Sequence, residues 1–149
     1  MMTFLPYSSY EKSAQVLDYR RLGNQRNEGL TILKTNLGLS NAWKSHPCTN
    51  MWKGHNECLA TYIWYIIKEW KSRGYKDSCE RKLFDLMGGD YFLRPYSSIA
   101  PLWYDDERIF SSHRAALLFK NYDYYKQFGW AEEPKQSYVW GEGAIEMEE

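Results

Sequence analysis

The chain has 149 residues, enough for one domain; two halves would each be too small to hold a good core. Zero formal net charge excludes a large single-sign field, so affinity for any polyanion must come from placed contacts. Three cysteines (Cys48, Cys58, Cys79), an odd count with no signal-peptide pattern in front, read most simply as reduced thiols in a cytoplasm. The apolar run Leu59–Ile67 is far too short to cross a bilayer.

The charge is unevenly laid out. Residues 1–129 carry eighteen Lys and Arg against thirteen Asp and Glu, a net +5, and residues 130–149 carry one Lys against six Glu, a net −5. A mildly basic body with an acidic tail is compatible with nucleic acid. Seven Trp and thirteen Tyr are a surplus that suits either surfaces that stack on rings or a small helical core filled with large side chains.

In chain order, Thr3-Phe4-Leu5-Pro6 reads as an extended arm, Pro6 biasing Leu5 away from helix. Ser8 with Glu11 forms a capping box. Helical spacing follows through Leu17 and Leu22 and again through Leu30, Leu33 and Leu37; Gly23 makes this one kinked helix or two short ones, and Gly38 is the stop. Residues 39–50 read as a loop ending on a second N-cap at Thr49-Asn50. Leu59, Tyr62, Ile63, Ile66 and Trp70 repeat at three- and four-residue steps, and Gly74 ends that helix. Asp77-Ser78-Cys79-Glu80 is another capping box, opening a short helix to about Met87. The stretch from Gly88-Gly89-Asp90 to Pro101 reads as irregular. A further helix runs from about Asp105 to about Asn121, with three acids in its first turn to suit the helix dipole. Tyr122–Trp130 is a short helix or turn, and Gly141–Glu149 is a small acidic tail expected to be disordered. No strand-type alternation persists. The expected fold is all-α: a compact single-domain bundle of three main helices with short extra ones and an extended N-terminal arm.

Chemistry concentrates first on the helix around Leu22. At 100° per residue, Leu22, Leu30, Leu33 and Leu37 define its buried face, while Arg21, Gln25 and Glu28 form a second row with Arg20, Asn24 and Asn27 beside it. Planar guanidinium and amide groups suit phosphates and base edges, whereas a merely solvated face is more commonly Lys and Glu. Arg26 falls on the apolar row, so it is expected to be buried with a carboxylate partner such as Glu28 or Glu57, unless the helix breaks at Gly23 and resets the phase.

A second cluster, His46-Pro47-Cys48-Thr49-Asn50-Met51-Trp52-Lys53-Gly54-His55, sits at a helix start, where backbone N–H groups welcome an anion. There Trp52 either stacks on a base or packs in the core, and Lys53 can meet a phosphate. The spacing of His46, Cys48, His55 and Cys58 matches no common zinc site. A third cluster is Ser111-Ser112-His113-Arg114, in which His113 and Arg114 cannot face the same way. No phosphate-binding glycine loop, Gly-x-Ser-x-Gly or Cys-x-x-Cys is present.

Several motifs occur in order: Thr3-Phe4-Leu5-Pro6-Tyr7, Leu17 to Glu28, His46-Pro47, Met51-Trp52-Lys53-Gly54-His55, Glu69 to Tyr75, Ser112-His113-Arg114 and Tyr138-Val139-Trp140. In these the chain resembles a family of small bacterial and phage proteins grouped with pyrimidine-dimer DNA glycosylases. Tyr19-Arg20-Arg21-Leu22, the basic helix end before Gly74 and the aromatic Tyr124-Tyr125-Lys126 extend the likeness to the glycosylases of T-even phages.

The resemblance implies an all-α protein that bends duplex DNA, extrudes a nucleotide and cuts its glycosidic bond. It further implies a nucleophilic α-amine on an N-terminal Thr, a Schiff base at the sugar C1′, and strand nicking by β-elimination. An α-amine with a pKa near 7.7–8.0 is partly neutral at physiological pH, and a carboxylate serves as proton shuttle. Thr3 is that nucleophile if translation begins at Met2. The phage enzymes carry their catalytic Glu directly after the Tyr-Arg pair, where this chain has Arg21. The nearest acid on the same row is Glu28, with Asp18 the other candidate.

The expectation is therefore a monomeric, cytoplasmic DNA glycosylase, with or without AP-lyase activity, acting on damaged or modified pyrimidines in double-stranded DNA. Thr3 and Glu28 are its catalytic candidates. Arg20, Arg21, Asn24, Gln25, Arg26, His46, Trp52, Lys53, His55, His113 and Arg114 are its DNA-binding candidates; no metal, cofactor or membrane is called for. The alternative is a non-catalytic module of the same fold that binds distorted DNA without needing Glu28. A third possibility is an enzyme on a nucleotide or RNA.

Overall fold

The computed structural model describes residues 1–89 and 101–141. The irregular stretch expected from Asp90 to Ala100 and all but the first residue of the acidic tail lie outside them. Among the described residues the chain is all-α, with helices α1 (Tyr10–Val16), α2 (Tyr19–Asn36), α3 (Pro47–Met51), α4 (Asn56–Ser72), α5 (Cys79–Leu86), α6 (Glu107–Lys120) and α7 (Tyr122–Tyr125). Two 3-10 turns, Leu102–Asp105 and Lys126–Phe128, flank α6 and α7. No described helix is long and apolar enough to cross a membrane.

The N-cap of α1 is Ser9, whose hydroxyl accepts from the Lys12 amide, rather than Ser8. The helix stops at Val16, and Leu17 and Asp18 turn extended before α2 begins. The helical spacing spanning Leu17 and Leu22 therefore belongs to two elements, with the break five residues before Gly23. Through Gly23 itself α2 is unbroken. A Cβ there would sit 3.0 Å from the Trp70 ring, and one at Gly29 would sit 2.6 Å from Ile63 Cγ1. These glycines serve close approach to α4, not a kink.

Pro47 at the first turn and His46 at the N-cap start α3 earlier than Thr49-Asn50, both of which lie inside that helix. Positive φ at Gly54 then turns the chain into α4. Asp77 caps α5 with one carboxylate oxygen accepting from the Cys79 and Glu80 amides at 3.1 and 2.8 Å. Asp106, not Asp105, caps α6.

The buried apolar residues form one cluster running from Met2 in the arm through α2 and α4 to Tyr125. The aromatic surplus divides between both readings. Trp52, Tyr62, Trp103 and Tyr125 fill the core, while Tyr19, Trp43, Tyr75 and Tyr122 are exposed.

The arm is the unusual part. Thr3 and Leu5 are wholly buried and Phe4 nearly so. An extended segment inside a helical protein must find partners for its backbone groups, and here side chains supply them. The Phe4 amide donates to Gln25 Oε1 (2.9 Å), the Leu5 amide to His113 Nδ1 (2.8 Å), and the Pro6 carbonyl accepts from Arg114 Nη1 (2.7 Å). Helices α2 and α6 thereby fix the first residues of the chain against the middle of α2.

Candidate active site

Beside this arm opens a cleft of about 210 Å³, lined by Met1, Met2, Phe4, Arg20, Arg21, Asn24, Gln25, Glu28 and Lys120. The five α2 residues share one side of that helix, as the wheel requires. Lys120, at the last turn of α6, is brought there only by the tertiary fold.

Gln25 organises the cleft. Its amide is 1% exposed and fully used: Nε2 donates to the Met2 carbonyl (3.0 Å) and to Glu28 Oε2 (2.7 Å). Oε1 accepts from the Phe4 amide and lies 2.7 Å from the Tyr62 hydroxyl. That hydroxyl is also 2.8 Å from the Phe4 carbonyl, so its single proton goes to one oxygen or the other. The Phe4 N–H can only donate, which fixes which end of the Gln25 amide faces it. Gln25, assigned from sequence as a DNA contact, instead works inward, holding Glu28 and the chain start in register.

Glu28 is half-buried, and burial pushes its carboxyl above the usual carboxylate range. The positive chain terminus, a hydrogen bond from the Met2 backbone and Lys120 pull it back down, by less. The α-amine of Met1 lies 4.0 Å from Glu28 Oε1. A half-buried carboxyl 4.0 Å from an amine is placed to exchange a proton with it.

Arg20 and Asn24 are exposed on the rim, and Arg20 has no ion-pair partner among the described residues. Arg21 is tied to Asp18, with Nη1 at 3.3 Å from both carboxylate oxygens. Asp18 also accepts a short hydrogen bond from the Tyr125 hydroxyl. That carboxylate is 7% exposed and already engaged, which leaves Glu28 as the acid that faces the cleft.

Thr3 is wholly buried. Its Oγ1 accepts from Trp52 Nε1 at 2.9 Å and lies 3.4 Å from Cys48 Sγ. The Thr3 amide nitrogen follows directly on the Met2 carbonyl that Gln25 holds, so it adjoins the Gln25–Glu28 pair.

Besides Gln25, four assigned DNA contacts face inward. Trp52 has no exposed surface and offers no face to a base; its indole anchors Thr3. His113 is also fully buried, and its proton sits on Nε2 because Nδ1 accepts from Leu5. Arg114 is saturated by Glu107, Glu132 and the Pro6 carbonyl. Arg26 is largely buried against a carboxylate, as its place on the apolar row requires, but the partner is Asp77, neither Glu28 nor Glu57, and its guanidinium lies 4.3 Å over the Trp70 ring. The turn at Gly74 returns the chain across α2, bringing Asp77 to a position no helical spacing indicates.

In the second cluster, His46 Nδ1 caps α3 by accepting from the Cys48 amide. Lys53 is exposed and His55 half-buried, and neither lines the cleft. Among the described residues no group of three or more His, Cys, Asp and Glu is placed to hold a metal ion. Lys120 was not assigned to the site from sequence, nor was Tyr138, named there only within the Tyr138-Val139-Trp140 motif; Tyr138 lies within electrostatic reach of both Arg21 and Glu28.

An all-α domain with a half-buried carboxylate at the foot of a guanidinium-rimmed cleft, beside an amine, has the parts of an enzyme acting on an anionic substrate. The chain belongs to the pyrimidine dimer DNA glycosylase family, whose sequence profile matches residues 1–83. The match spans the arm and α1 to α4, ends inside α5 and takes in all the cleft residues except Lys120. Comparison with curated proteins and with solved structures gave no match.

Proposed function

We propose that this chain excises a damaged pyrimidine from double-stranded DNA, with Glu28 as its acid–base group and the amine at the start of the chain as its nucleophile. The observation that carries this reading is the contact line from the arm backbone through Gln25 to Glu28, which places a carboxylate raised by burial next to an α-amine.

In the proposed sequence the neutral amine attacks C1′ of the extruded nucleotide, and the C1′–N bond breaks with its electron pair going to the base, which takes up a proton. Glu28 accepts the proton lost by the amine. Ring opening gives an imine between chain and sugar, and Glu28 returns a proton to the ring oxygen. Loss of the C2′ proton then expels the 3′ phosphate, and water releases the chain. Arg20, Arg21 and Asn24 contact the DNA backbone at the rim, and Lys120 faces the same charge from α6; Lys53 and His55 are peripheral contacts of the same monomer.

The amine is that of Thr3 where translation begins at Met2 and that methionine is then removed, and that of Met1 in the chain as it stands here. The cleft's 210 Å³ falls short of the roughly 300–1,000 Å³ of ligand pockets. Both methionines line it, so their removal enlarges it and frees the Thr3 nitrogen beside Gln25 and Glu28.

The test is a duplex carrying a cis-syn thymine dimer, assayed for glycosidic cleavage and strand scission with wild-type protein and Glu28→Gln. Loss of cleavage with binding retained is the expected outcome. Equal cleavage by the variant would move the acid–base role elsewhere, and binding without cleavage by the wild type would favour the non-catalytic module.

A further inference from the structure

Trp43 stands out from the rest of the aromatic surplus. It is 52% exposed, in the exposed segment that follows α2. Its φ of +57° makes it the one non-glycine residue with positive φ among the described residues. A bulky L-residue adopts that conformation only when its surroundings impose it, and such positions cluster at functional sites. The imposing contacts are local. Thr35 Oγ1 donates to the Ala42 carbonyl at 2.6 Å, and the Ala42 amide donates to Ser40 Oγ at 3.1 Å.

Thr35 gives the loop its direction. Arg21, Glu28 and Thr35 are seven residues apart, so they share a row on α2 that drifts only about 20° per heptad. The Ala42–Trp43 peptide is thus pinned to the row that carries Glu28, about 10 Å further along at 1.5 Å per residue. A second path leads to the same place. From Tyr138, within electrostatic reach of Arg21 and Glu28, successive ring contacts at 5.5, 5.8 and 5.6 Å run through Trp140 and His46 to Trp43. The contact with His46 is edge-on and leaves half of the indole uncovered. Exposed Lys44 follows directly, placed to meet a phosphate.

We propose that Trp43 is a wedge that enters the duplex and unstacks a base step about 10 Å, or roughly three nucleotides, from the nucleotide held over Glu28. The inference rests on the glycosylase reading above and adds to it the residue that distorts the DNA. Apolar side chains inserted between base steps kink a duplex, and unstacking lowers the cost of extruding a nucleotide nearby.

The experiment uses the full chain and two dimer-containing duplexes, each with 2-aminopurine three nucleotides from the dimer, on one side or the other. Wild-type protein is expected to raise 2-aminopurine emission severalfold on one of the two. Trp43→Phe should keep that rise. Trp43→Ala, at a position 52% exposed, should abolish it and weaken binding roughly fivefold or more. If Trp43→Ala binds as tightly as wild type and gives the same emission, the wedge is wrong while the glycosylase reading stands. If the wild-type chain shows no salt-sensitive duplex binding, both fall together.

Discussion

The indole Nε1 of Trp52 donates to Thr3 Oγ1 at 2.9 Å, in a site from which both residues exclude solvent completely. This bond ties the loop between α3 and α4 to the third residue of the chain. It gives Trp52 the task of holding the arm, where a solvent-facing indole would have been free to stack on a base. The same contact sets where the arm's backbone enters the cleft.

Trp52→Phe keeps a ring in the core and removes the donor. Thr3 Oγ1 is left with Cys48 Sγ as its neighbour, and the substitution is expected to cost about 1–3 kcal/mol of stability in urea unfolding. It should also impair catalysis more than DNA binding, because the displaced group is the start of the chain and not the rim. An unaltered turnover rate would show that the Thr3 anchor has no bearing on the site.

His113 makes stability sensitive to pH. Burial, with a lesser contribution from Arg114, lowers its pKa from 6.5 to about 3 in the folded chain. The unfolded chain therefore takes up the proton first. The stabilisation linked to neutral His113 is complete above about pH 6.5 and is lost as pH falls toward about 3, at a slope approaching about 1.4 kcal/mol per pH unit. His113→Asn retains an acceptor for the Leu5 amide but does not titrate. Its unfolding free energy should fall less steeply across that window, and parallel curves for the two proteins would contradict the assignment.

Glu28 has the opposite sign. Burial holds its folded pKa above the value in the unfolded chain, so ionising it costs stability above the folded pKa, and that cost disappears as pH falls toward the unfolded value. Glu28→Gln removes the ionisation and keeps an oxygen to accept from Gln25 Nε2. At neutral pH the variant should be as stable as wild type or more so, the difference shrinking in acid, even though its chemistry is lost. A variant clearly less stable at pH 7 would mean that the carboxylate is primarily a structural ion-pair partner.

Much of this was legible along single helices. The faces of α2 and α4 follow from three- and four-residue spacing, and the grouping of Arg20, Arg21, Asn24, Gln25 and Glu28 follows from the wheel. What one helix cannot show is which polar group another element takes up. Gln25 looks like its neighbours on the wheel, yet the arm claims it. His113 and Arg114 are equally claimed by Leu5 and Pro6, more than a hundred residues away. The pairing of Arg26 with Asp77 and the approach of Lys120 to Glu28 depend likewise on chain reversals that no local pattern encodes. The backbone at Trp43 was hidden for a different reason, since positive φ is ordinarily announced by Gly or Asn.

The proposed reaction makes a covalent bond between the start of this chain and the sugar of an excised nucleotide. Borohydride reduction of the protein mixed with a thymine-dimer duplex, followed by digestion and mass mapping of the adduct, tests it most directly. The expected result is a sugar-bearing peptide modified on the α-amine of its first residue, Met1 or Thr3, and not formed by Glu28→Gln. An adduct on a lysine such as Lys120, or base release with no trapped species, would contradict it.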